Sequence, residues 1–105
     1  MCAEATIRAL RGVDFLDIEM PGWINHIDVD SLDLFDCDNC VLGQLFGEYT
    51  KGIKILEIGN DDAVHCGFES CHVICGGGGF MDYAELTTAW KNIILTEREV
   101  RSIRL

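Results

Sequence analysis

The chain has 105 residues, of which 49% are apolar, and a formal net charge of -10. That length makes one domain, residues 1–105, able to bury a core without obligatory disulfides, and the apolar fraction excludes intrinsic disorder. Only eight lysines and arginines are present, too few for the clustered basic surface that direct nucleic-acid binding requires.

In residues 3–20, Ala3, Thr6, Ile7, Leu10, Val13, Leu16 and Met20 recur at helical spacing, which predicts a first helix with this stripe facing the core. Pro21 and Gly22 end it, since proline cannot continue the hydrogen bonding and glycine permits the reversal. Trp23 and Ile24 are expected to plug the gap to the next helix. Ile27, Val29, Leu32 and Leu34 then alternate with Asp28, Asp30 and Asp33. The alternation is strand-like, but aspartate favours turns and helix starts, so an extended or single-turn connection is expected. Asp36 or Asp38 is read as the cap of a short helix reaching about Tyr49, with Val41, Leu42, Leu45, Phe46 and Tyr49 on its apolar face.

Ile53, Ile55 and Ile58 alternate with polar neighbours and predict a short strand or loop. Residues 59–62 read as a turn, and residues 63–68 as one helical turn interrupted by Gly67. The glycine run at 76–79 reads as a linker, because a phosphate cradle needs the P-loop lysine and a strand–loop–helix pattern. Asp82 and Glu85 look like a capping box opening the last helix. Along it Tyr83, Leu86, Trp90, Ile93, Glu97, Val100 and Arg104 follow at spacings of three and four. Past Thr96 the sequence turns charged, and the last two helical turns are expected to project. The fold expected is mainly α: a small helical domain of three to four helices, with a short β-hairpin or extended segments in the middle.

Charge is distributed unevenly. Residues 12–50 hold nine carboxylates and no lysine or arginine. A fold that keeps so self-repelling a segment gains by presenting it to a cationic partner or a metal. The candidate contacts are Asp28, Asp30, Asp33, Asp36 and Asp38, with Asp14 and Asp17 beside them. Such carboxylates can imitate the charge spacing of a nucleic-acid backbone and attract a protein that normally binds DNA or RNA. The alternative is a solvated face that serves solubility. Lys91, Arg98, Arg101 and Arg104 make the end of the chain basic, able to cover acidic surface in the same molecule or in a homodimer formed through the C-terminal helix.

No apolar run approaches the ~20 residues that span a bilayer, and the N-terminal residues lack a hydrophobic signal core, so no membrane partner and a cytoplasmic location are expected. The six cysteines are then read as thiols, ligands or core residues. Cys37 and Cys40 have the C-x-x-C spacing that lets two thiolates reach one zinc, and His65, Cys66, Cys71, His72 and Cys75 are five further candidates, of which His72 and Cys75 can complete a four-ligand site. Reduced cysteines acting as small core hydrophobes are the plainer expectation, with no cofactor. Residues 28–39 do not fit an EF-hand, because the glycine position falls on Asp33. His26, His65 and His72 come without a nucleophile elbow or metalloprotease helix, so no enzyme is expected.

The strings LRGVDFLDIEMPGW, IDVDSLDLFDCDNCVLGQLFGEY, GFES and YAELTTAWKNII resemble small proteins of bacteriophages, prophages and some Gram-positive bacteria, with a Pro-Gly-Trp turn and a CxxCVLGQxFGxY core. The resemblance spans most of residues 9–95 and implies no activity residue by residue. By analogy of class it implies an acidic accessory protein that binds a basic surface of a host protein, with an anti-defence, anti-CRISPR-like inhibitor as the specific form. A zinc-stabilised interaction module anchored by Cys37 and Cys40 is the alternative.

Overall fold

The computed structural model describes residues 4–69 and 79–103. Among these there are five α-helices: α1 (Ala5–Glu19), α2 (Val41–Phe46), α3 (Tyr49–Leu56), α4 (Asn60–His65) and α5 (Gly79–Ile103). A 3₁₀ turn, Trp23–His26, follows α1. No strand occurs among the described residues, so the architecture is a small, mainly helical domain.

Helices α1 and α5 form its spine. The Arg8 guanidinium grips the Asp82 carboxylate through two hydrogen bonds of 3.0 and 2.6 Å. Toward the other end, Arg101 grips Asp17 at 3.1 and 2.9 Å. Low-numbered residues of one helix thus pair with low-numbered residues of the other, and the two run in the same direction. The buried face of α1 is not the stripe expected from the sequence. Ala5, Arg8, Ala9, Gly12, Val13 and Leu16 are buried, whereas Ile7 and Leu10 are exposed. Close approach decides this: a Cβ built on Gly12 would lie 2.2 Å from the Cys66 carbonyl oxygen and 2.6 Å from the Trp90 ring. Small residues permit that contact, so the inward face shifts from Ile7 and Leu10 onto Ala5, Ala9 and Gly12, while Val13 and Leu16 of the expected stripe stay buried.

Gly22 takes φ +86° and starts the 3₁₀ turn, as the Pro-Gly signal implied. It delivers Trp23 into the core, where its ring meets Trp90 edge-on at 6.0 Å. Phe68 stacks on Trp90 at 5.7 Å, and Phe15 meets Phe68 edge-on at 6.1 Å. Each such pair contributes about 0.5–1.5 kcal/mol beyond its area burial. Trp90 Nε1 donates to the Gly67 carbonyl at 2.7 Å, so the buried indole keeps a partner.

The middle of the chain departs from the sequence reading. Ile53 and Ile55 lie on α3, not on a strand or loop. The alternation is incidental, because Tyr49, Gly52, Ile53 and Leu56 are the positions turned inward, at i, i+3, i+4 and i+7, while Ile55 is exposed. The helix expected to run to Tyr49 breaks at Gly47, whose φ is +98°, and α3 begins two residues later. Residues 60–62, read as turn, form the first turn of α4, where Asp61 and Asp62 suit the positive end of the helix dipole. Gly67, at φ +73°, closes α4: its N–H donates to the Val64 carbonyl at 3.1 Å and the Phe68 N–H to the Ala63 carbonyl at 2.8 Å.

Asp82 is not the cap of the last helix. That helix begins at Gly79, and the Asp82 carboxylate is bonded to Arg8 instead. The basic end of α5 folds back on its own chain up to Arg101. Arg98 donates to the carbonyl of Ile24 at 2.7 Å and also to that of Ile27, closing the 3₁₀ turn, while Ile103 remains exposed. The rest of the expected linker, residues 76–78, lies outside the described residues, as do Cys71, His72, Cys75 and Arg104.

Candidate protein-interaction surface

Residues 28–39 connect the 3₁₀ turn to α2, and their aspartates build the connection. Asp28 accepts the Asp30 N–H at 3.1 Å on one oxygen and the Ser31 hydroxyl at 2.8 Å on the other. Asp33 accepts the Phe35 N–H at 3.0 Å, and Asp36 accepts the Asp38 N–H at 2.9 Å and the Asn39 amide at 3.0 Å. Three times over, a carboxylate satisfies the backbone two residues ahead, the local geometry that makes aspartate a turn former. The hydrogen bonds from Asn39 and from the Asp38 backbone hold the Asp36 carboxyl below its ordinary pKa.

This loop is pinned to the body from both sides. Gln44 on α2 accepts the Asp28 N–H at 2.6 Å and donates to the carbonyls of Asp28 and Asn39 at 3.0 and 3.2 Å. From α5, Thr87 Oγ1 accepts the Leu34 N–H at 2.9 Å. Ile27, Leu32 and Leu34 are buried beneath it. Gln44 and Thr87 were not singled out in the sequence. The one available signal was that Gln44 interrupts the otherwise apolar VLGQLF segment.

Cys40 caps α2 in place of Asp36 or Asp38. Its sulfur accepts the Gly43 N–H at 3.2 Å, and the thiol is buried, which pushes its pKa up to about 11. Cys37 is exposed. The two cysteines of the C-x-x-C pair therefore sit in unlike surroundings, one inside a helix cap and one facing solvent. His72 and Cys75, the other expected zinc ligands, lie outside the described residues. Among the described residues no group of three or more His, Cys, Asp or Glu side chains is placed to hold a metal ion.

The outer surface of the loop is anionic. Asp28, Asp30, Asp33, Asp36 and Asp38 are all exposed, and among the described residues no lysine or arginine forms an ion pair with any of them. The self-bonding aspartates fix the backbone, while the side chains of Asp30 and Asp38 accept no hydrogen bond among the described residues. Phe35, 59% exposed, stands within the loop with its ring edge-on to Tyr83 at 5.4 Å. Asp14 is exposed on α1, away from the loop in sequence. Asp17 is engaged within the molecule: it takes the Arg101 fork and a 2.9 Å hydrogen bond from Trp23 Nε1, so its charge is neutralised by its own chain.

The fold and this surface define a small helical domain that presents a rigid acidic loop. No family model, curated protein or solved structure matches the chain. Among the described residues, no helix is long and apolar enough to cross a membrane.

Proposed function

We propose that this chain is a non-enzymatic accessory protein of phage or prophage type that uses residues 28–38 to bind a basic, nucleic-acid-binding surface of a bacterial host protein, in the manner of an anti-CRISPR-like inhibitor. The observation that carries the reading is that five carboxylates share one loop whose backbone is locked by hydrogen bonds, and among the described residues no lysine or arginine forms an ion pair with them. Charges held this way need no reorganisation on binding, and a one-signed surface raises association rates by about 10–1,000-fold at low salt. Phe35 supplies an exposed aromatic ring in the same loop, a residue type enriched at the cores of protein interfaces. The resemblance to phage proteins supports the cellular setting.

The test uses Asp30→Lys/Asp38→Lys, two substitutions that leave the turn-forming carboxylates of Asp28, Asp33 and Asp36 in place. Host extract is passed over immobilised wild type and variant, and bound protein is challenged with salt and with DNA or RNA. The expected result is a captured host protein that is released by salt and by nucleic acid and is lost with the variant. Capture that survives both the charge reversal and the nucleic-acid competitor refutes the proposal.

A further inference from the structure

The acidic loop occupies only one side of α5, the side of Tyr83 and Thr87. A separate surface runs along the seam between α1 and the opposite side of α5. There an open groove of about 490 Å³ is lined by Ala5, Thr6 and Thr88, with Glu4 and Glu85 at its rim. It meets a second notch of about 200 Å³, lined by Leu10, Ile93 and Thr96, and Asn92 lines both. From Glu85 to Glu97 the seam extends ~18 Å, or about three helical turns.

Its chemistry is specific in two respects. Leu10, which lines the notch, is 47% exposed, and Ile7, one turn earlier on α1 and outside the lining, is also exposed. Among the described residues the lining contains no lysine or arginine; Glu97 is tied to Arg101, whereas Glu4 and Glu85 form no ion pair there. The notch at Leu10 and Ile93 is thus mainly apolar, while the larger groove mixes alanines with Thr6, Thr88 and Asn92 and is negatively charged at the end that carries Glu4 and Glu85.

We propose that the α1–α5 seam is a docking groove for an amphipathic helix of a partner protein, with apolar anchors at i, i+3, i+4 and i+7 and basic residues at the end that meets Glu4 and Glu85. A helix laid in a groove reads such anchors directly. Charge selects the occupant. A second copy of this chain brings a net charge of -10 of its own, whereas a basic helix is attracted. The inference is independent of the acidic loop, which packs elsewhere on α5.

The probes are two synthetic helices of about 14 residues with leucines at those anchor positions, the remaining positions lysine in one and glutamate in the other. Each is titrated into the full chain while backbone amide resonances are followed. The expected result is saturable binding of the lysine peptide, about tenfold or more tighter than its glutamate counterpart, with shifts at Thr6, Leu10, Thr88 and Asn92. Thr88→Arg and Leu10→Arg, both at exposed positions, should each weaken it about tenfold with the melting midpoint preserved. Shifts confined to residues 28–38, equal affinity of the two peptides, or unchanged affinity of both variants would overturn the proposal. So would seam resonances that move on dilution of the protein alone, because a second copy would then be the occupant.

Discussion

Gly43→Ala sets two well-measured effects against each other. Within a helix, alanine is favoured over glycine by about 0.8–1.0 kcal/mol, so propensity alone predicts a more stable protein. Position 43 is closed to a methyl group, however: a Cβ there would lie 2.2 Å from the Cys37 carbonyl oxygen, and 2.7 and 2.8 Å from the carbonyl carbon and oxygen of Asp38. All three neighbours are backbone atoms that cannot rotate aside. The acidic loop must lift from α2 or the helix must shift, and overpacking of this kind typically costs ~1–3 kcal/mol, more where the obstacle is rigid. With three rigid contacts the cost lies in the upper part of that range, about 2–3 kcal/mol, and the helix gain offsets part of it, leaving a net loss of about 1–2 kcal/mol. For a domain of this size that lowers the thermal midpoint by roughly 5–15 °C. Thermal unfolding followed by far-ultraviolet circular dichroism reads the shift. A midpoint equal to or above that of wild type would show that the loop does not rest on Gly43, and the account of its rigidity would fail with it.

At about pH 8 an alkylating reagent should label Cys37 well before Cys40, because burial pushes the Cys40 thiol to about 11 while Cys37 is exposed; equal labelling in mapped peptides would contradict the cap geometry. Cys40→Ala should in addition cost about 1 kcal/mol by removing the α2 cap, and Cys40→Ser should recover most of it. For Asp17, burial alone would raise the pKa, but the hydrogen bonds from Arg101 and Trp23 outweigh it and hold the carboxyl below its ordinary value. A depressed folded value means stability that is complete above the unfolded pKa and is lost as pH falls through the folded one. Asp17→Asn should therefore destabilise the protein at neutral pH by an amount that shrinks below about pH 4. A denaturant midpoint difference that stays constant from neutral to acid pH would refute it.

The helical character of the chain was legible because it rests on local signals. The Pro-Gly stop at 21–22, the tryptophan that follows it and the long periodic segment that became α5 act within a turn or two of the backbone; the first two appear where the residues imply, and α5 begins three residues before the expected cap. The short helices were harder. Ile53 and Ile55 carry a two-residue alternation, and only packing of Tyr49, Gly52 and Leu56 against the body chooses the helix instead. The acidic composition of residues 28–38 was equally plain, since charge is additive along a sequence.

What the sequence could not reveal is which charges stay free. Asp17 and Asp30 look alike on paper, yet Arg101, 84 positions away, neutralises the first, and among the described residues no basic side chain pairs with the second. The same holds for the outward turn of Ile7 and Leu10 and for the capping of α2 by Cys40 in place of an aspartate. Composition and period determine which elements form and how much charge the chain carries. Long-range contacts, which close only when α1 and α5 come together, decide which groups are consumed in holding the fold and which are left to meet another molecule.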